Sequence, residues 1–388
     1  MADRRRIAIA GFIATAVTFG PGRMAYGMFL PQLREEFGFG TGASGGIAGF
    51  AFSAFFLALF ITGRLEPRFG PRLPVLVSGG LATAGFALTA LAPRFLVMCV
   101  GVALASASAG FAWTPFNSMT EQGVEERYQK RVLSIVSTGT TFGIIAAGLL
   151  GVGLAAAGQT WRVSWWIFAA TGLAVVVVPF ALLPKPGRFE RGNPPPLRRI
   201  LGQLRRRKAV PLYGFAFSFG ATNGTYLSYW IEHISQSGGL AGIPVDLTGP
   251  VLFVVFGLVG SAGLLTGDIE TKTGLRALLV ALFAGSGASL LLLAFLPDSW
   301  VGTVVSAALQ GICLMALSAI YSFWSERLFP DMPSTSFTAV LMLYAIGNAT
   351  APPLAGLMSS EWGLATTLAL FGGLSLASIP LVYWVEEV

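Results

Sequence analysis

The feature that most restricts this chain is the repetition of apolar stretches long enough to cross a bilayer. A membrane helix needs about 20 mostly apolar residues. Such runs fall at roughly 7–30, 42–62, 73–92, 95–117, 132–156 and 164–183. A second series follows at roughly 209–231, 249–266, 276–296, 300–323, 336–358 and 364–384. Only 11% of the residues are charged and 54% are hydrophobic, whereas soluble domains carry about a quarter charged residues. This chain cannot cover a water-facing surface. It is expected to be an all-α membrane protein with about twelve transmembrane helices.

The net charge of +7 does not point to nucleic acid, because the basic residues sit in short segments between apolar runs. That is the pattern of loops held on the cytoplasmic side beside anionic lipid. With the N-terminus inside, 21 of the 25 Lys and Arg residues fall in inside segments. Both termini are therefore predicted to be cytoplasmic, in a multi-pass protein of the cell (inner or plasma) membrane. Arg34, Arg94 and Arg162 fall outside, and Arg23 falls within the first span. The opening MADRRR precedes a run too long for a cleaved signal peptide, so that run reads as a retained span.

The segment 185–208, KPGRFERGNPPPLRRILGQLRRRK, is the one evident linker. Its prolines exclude a helix, while PLRRILGQLRRRK suits either a basic amphipathic helix on the inner leaflet or a solvated loop. It divides the chain into six-span halves, 1–184 and 209–388. The halves resemble each other. FGPGRMAY (19–26) matches FGATNGTY (219–226) at an offset of 200, and GRLEPRFGPR (63–72) matches GDIETKTGLR (267–276) at 204. GTTFGIIAAG (139–148) matches GNATAPPLAG (347–356) at 208. Three ordered matches at a slowly growing offset indicate duplication.

Six-plus-six parallel repeats with a basic central loop describe a known transporter architecture. GRLEPRFGPR resembles the signature of the major facilitator superfamily, G-x-L-x-D-R-x-G-R-R, through Gly63, Leu65, Arg68, Gly70 and Arg72. It departs where Pro67 replaces the Asp, Glu66 stands one place early, and Pro71 replaces an Arg. The resemblance, of the twelve-helix prokaryote-like type, implies two pseudo-symmetric six-helix bundles. It also implies a latch between the halves, formed by the loop of Gly63, Glu66, Arg68, Gly70 and Arg72 and its counterpart with Glu270 and Arg276. Helices 1, 4, 7 and 10 are implied to line a central cavity with help from 2, 5, 8 and 11. Helices 3, 6, 9 and 12 are implied to lie outside.

The polar residues inside the spans follow that division. Asn117, Asn223, Gln310 and Asn348 fall on helices 4, 7, 10 and 11, and helices 3, 6, 9 and 12 hold no such amide. Arg23 is the one charged residue well inside a run, where it costs roughly 2.5–3.5 kcal/mol on insertion scales. With no carboxylate in mid-span to pair with, it either caps carbonyls freed by Pro21 and Gly22 or faces the cavity and holds an anionic substrate. A guanidinium meets a carboxylate or phosphate with two hydrogen bonds. Tyr26 is one turn on, and Asn223 and Tyr226 hold the matching places in the other half. Arg23, Tyr26, Asn223, Tyr226 and Gln310 are thus the expected substrate-binding residues.

A single arginine favours a monocarboxylate over a dicarboxylate or phosphate ester. The function read from the sequence is secondary transport of a small organic anion by alternating access. The other readings are export of apolar drugs or metabolites with a structural Arg23, and a membrane sensor without flux. An enzyme is not expected, since no His, Glu, Asp or Cys cluster falls within the spans. Cys99 and Cys313 read as packing residues, His233 as interfacial, and no cofactor or metal is expected. A coupling proton would have to travel with the substrate or use a rim group such as Glu66; exchange or uniport needs none. The expected partners are a small-molecule substrate and the lipid bilayer, with the chain a monomer.

Overall fold

The computed structural model describes residues 2–184, 198, 202 and 204–386. They form helices, with no strand among the described residues. Helix α1 comprises Ala2–Phe19 and Pro21–Met28, broken at Gly20, and a short helix Leu30–Phe37 follows it. Then come α2 (Thr41–Phe69), α3 (Arg72–Leu91), α4 (Phe95–Ala112 continued by Thr114–Gly123), α5 (Glu126–Ala156) and α6 (Trp161–Leu182). The second half has α7 (Val210–Gln236), α8 (Val245–Gly260, extended through Ser261–Leu265 and Thr266–Thr273), α9 (Leu275–Phe295) and α10 (Trp300–Leu328). A continuous stretch Pro333–Ala377 is split by Gly363, with φ 80° and ψ 160°. This gives α11 before that glycine and α12 after it, α12 finishing in the 3-10 turn Ile379–Trp384.

Ten helices among the described residues are long and apolar enough to span a membrane, one of them the 52-residue Pro333–Trp384. Separating that stretch at Gly363 and adding α7 restores the twelve expected from the sequence. Helix α7 fails on hydropathy because it is an inner helix. Its Ser218, Thr222, Asn223, Thr225, Ser228, Glu232 and His233 are all buried in the protein. It also runs to Gln236, past the expected end near 231, so His233 is 7% exposed rather than interfacial. The linker 185–208 and its amphipathic reading lie largely outside the described residues. Cys99 and Cys313 are buried and free.

The duplication is visible in the backbone. Gly70 and Gly274, counterparts at offset 204, have φ/ψ of 82°/165° and 80°/155°, and their N–H groups bond the Glu66 and Glu270 carbonyls at 2.8 Å each. The next arginines match too. Arg72 Nη2 donates to the Phe180 carbonyl at 2.6 Å, and Arg276 Nη2 to the Val385 carbonyl at 2.6 Å. Each arginine therefore ties the start of its half's third helix to the end of its sixth. The backbone conformation at both glycines is nearly closed to side chains. Gly70→Ala and Gly274→Ala should each lower stability by about 1–3 kcal/mol, read as a reduced thermal midpoint in detergent.

The signature loops differ in their charges. Glu270 takes a bidentate pair from Arg327 of α10, at 2.7 and 3.0 Å. Glu66 is instead hydrogen-bonded by Ser118, with Glu121 nearby. Gly63 and Arg68 are exposed. In this conformation the bonds of Glu66, Arg72, Glu270 and Arg276 described here stay within their own halves, whereas the latch expected of these loops joins the two.

Candidate functional site

The two halves meet along α2 against α11 and α5 against α8. On the face away from the termini they approach to backbone contact. A Cβ added to Gly27 of α1 would run into the Leu227 carbonyl of α7, and one on Gly45 of α2 into the Pro352 carbonyl of α11. One on Gly249 of α8 would come 2.6 Å from the Met28 carbonyl. Tyr229 Oη donates to the Pro352 carbonyl at 3.0 Å, with the Thr41 carbonyl at 3.3 Å. Arg34, after α1, forms an ion pair with Glu232 of α7, which is 4% exposed, and Gln32 Nε2 donates to Asp246 at 3.2 Å. The far face is shut.

Glu232 and Arg34 were both missed as site residues: Arg34 was counted among the outer charges, and Glu232, just past the expected end of its run near 231, was not singled out. Glu232→Ala strands the arginine at a mostly buried seam, and removing one partner of a buried pair is strongly unfavourable. The far face should then open, raising labelling of a cysteine at Gly42 by an impermeant thiol reagent at least tenfold.

Below this seal lies Arg23, 8% exposed. Pro21 opens the second segment of α1, and the Gly20 break sets that segment's direction. The guanidinium reaches across to the other half: Nη2 donates to Tyr344 Oη of α11 at 2.7 Å, with Asn348 Oδ1 at 3.5 Å. Tyr344 Oη in turn donates to Asn223 Oδ1 of α7 at 2.7 Å. Asn348 holds its own helix through Nδ2 to the Tyr344 carbonyl at 2.8 Å. The second half thus answers the cation with a phenol and amides. No ion pair among the described residues involves Arg23. Two buried donors have no acceptor, Arg23 Nε and Asn223 Nδ2. Its hydrogen bonds go to side chains of the other half and not to the carbonyls near Pro21 and Gly22.

Of the expected residues, the structure brings together Arg23 and Asn223. Tyr26 Oη donates to the Ser44 carbonyl of α2 at 3.0 Å. Tyr226 Oη lies 3.3 Å from Ser306 Oγ of α10. Gln310 Oε1 accepts from Ser286 of α9 at 3.2 Å, and its Nε2 is unpartnered. These three face into their own halves. Tyr344, which joins the pair, was missed. It aligns with Val136 in the repeat, so comparing halves does not flag it.

Comparison with known proteins agrees with this architecture. The chain is 25% identical to human Monocarboxylate transporter 11 over 403 residues, covering 96% of this chain and 82% of that one. It is 24% identical to the Purine ribonucleoside efflux pump NepI of Salmonella paratyphi B over 357 residues, covering 91% and 87%. In structure it resembles a bacterial homolog of the human lysosomal transporter Spinster, solved inward-facing and unoccupied, with TM-score 0.70, 15% identity and 98% and 94% coverage. The family model described as Major Facilitator Superfamily matches residues 7–285, well over half of the sequence. Twelve helices, duplicated halves and this match together place the chain in the Major Facilitator Superfamily, a membrane transporter and not an enzyme.

Proposed function

We propose that this transporter moves a small organic anion, a monocarboxylate, by alternating access, and that Arg23 holds the cargo's charge. One observation carries the reading. A buried guanidinium, bonded only to neutral groups and with Nε–H unpartnered, sits on the seam between the two moving halves. A buried donor without an acceptor costs about 1–3 kcal/mol, and a carboxylate is the acceptor Arg23 Nε lacks. The relative named as a monocarboxylate transporter supports the same class. With the terminal face cytoplasmic, as the Lys and Arg distribution predicts, the closed far face is the outer one. The Tyr344 hydroxyl gives up its bond to Arg23 when a carboxylate takes it, so loading loosens one tie between the halves.

The relative named as a nucleoside pump favours a second reading, a neutral metabolite exported with Arg23 as a structural link to Tyr344. Uptake of labelled carboxylates and of labelled adenosine into proteoliposomes separates the two, comparing the parent protein with Arg23→Ala and Arg23→Lys. Carboxylate flux that collapses in Arg23→Ala supports the anion. Adenosine flux that survives Arg23→Ala, with no carboxylate flux in any protein, overturns it.

A further inference from the structure

We infer that the body of the cargo is a flat aromatic ring and that Trp113 selects it; this rests on the anion reading above and names its substrate class. Four rings surround the Arg23 guanidinium: Phe19 at 6.0 Å, Phe52 at 5.5 Å, Phe55 at 5.0 Å and Tyr344 at 4.9 Å. The rings then continue toward the terminal face. Phe19 meets Trp113 edge-on at 5.8 Å, and Trp113 reaches Phe337 of α11 at 6.5 Å. Phe337 lies seven residues before Tyr344, about 10 Å along one helix face at 1.5 Å per residue. The series therefore runs from the cation to the terminal side with rings from both halves.

Trp113 stands where α4 is interrupted between Ala112 and Thr114, ahead of Pro115. Proline withdraws a backbone donor and breaks the ladder, and the break sets the indole on the seam. Its two neighbours are buried, Phe19 at 9% and Phe337 at 3% exposure, while Trp113 itself is only half-buried. The indole surface is thus held between buried rings of opposite halves and is itself only partly covered. A two- or three-carbon acid anchored on Arg23 leaves that surface untouched. An aromatic acid anchored there brings its ring among partners arranged for edge-to-face contact, the geometry aromatic pairs prefer.

The test uses the full chain in proteoliposomes, with labelled benzoate, phenylacetate, acetate and lactate as cargo and benzamide as the neutral competitor. The expected result is saturable benzoate and phenylacetate uptake, half-maximal at concentrations at least tenfold below those for acetate and lactate, with benzamide a poor competitor. Trp113→Ala should erase the aromatic advantage, a loss of roughly tenfold in the benzoate-to-acetate preference, and Trp113→Phe should keep it. The competition order in the parent protein decides the matter even where Trp113→Ala does not fold. Acetate and lactate taken up as well as benzoate, all lost in Arg23→Ala, overturns the aromatic assignment and leaves the anion reading standing. Benzamide competing equally with benzoate, with flux indifferent to Arg23→Ala, overturns the anion reading. No saturable uptake of any carboxylate overturns both.

Discussion

An Arg23→Met protein should fold, melt no lower than its parent, and carry almost no anion. Arg23 is 8% exposed and meets neutral groups only. Its burial costs roughly 2.5–3.5 kcal/mol, and a hydrogen bond from a charged donor returns about 1.5–3 kcal/mol. The two nearly cancel in the empty protein, and methionine packs well among Phe19, Phe52 and Phe55. A loaded carrier loses a charge-assisted, two-pronged contact, so uptake at low substrate should fall roughly a hundredfold or more. Arg23→Lys keeps the charge without the fork and should lose about tenfold. Thermal unfolding in detergent beside proteoliposome uptake measures both. A melting point that drops sharply while flux persists would make Arg23 a structural tie and remove the proposed site.

The second large effect belongs to a residue without a side chain. Gly27→Val should stop turnover while leaving anion binding intact. Gly27 and Leu227 are counterparts at the repeat offset of 200, and they touch across the seam, which places them at the pseudo-two-fold axis relating the halves. A Cβ at Gly27 would enter the Leu227 carbonyl, a backbone atom that cannot rotate aside. The far face then cannot close, and a carrier that cannot close one side cannot alternate. Net uptake should fall more than about a hundredfold, with labelled benzoate still bound in equilibrium dialysis. Gly46→Val supplies the control, since nothing lies within 4 Å of that position, and it should transport normally. Turnover in Gly27→Val near the parent rate would show that the far face closes by another contact.

Much of this architecture was legible because membrane spans announce themselves by length and the halves by their echo. The match of Arg23 with Asn223 came from that echo, and both bond Tyr344. The tyrosines Tyr26 and Tyr226 were placed with them by helical spacing. Three residues turn a helix 300°, leaving them 60° away, and on an inner helix that is enough to point into the next helix of the same bundle. Tyr26 bonds the Ser44 carbonyl and Tyr226 approaches Ser306 for that reason. Tyr344 escaped because its position in the first half is a valine and because one tyrosine in an apolar span carries no signal alone. Glu232 and Arg34 escaped because α7 outlasts its apolar run. Only their meeting across the seam identifies them as a pair.

The neutral surroundings of Arg23 also have an electrical consequence. Among the described residues no carboxylate pairs with it, so on the proposed reading the centre is positive when empty and neutral once an anion is bound. Voltage would then act on the return of the unloaded protein and not on the step that carries cargo. If the cargo is the proposed anion and nothing travels with it, each completed cycle displaces one elementary charge. At about 2.3 kcal/mol per 100 mV, an inside-negative membrane would favour outward movement of an unaccompanied anion by roughly fiftyfold.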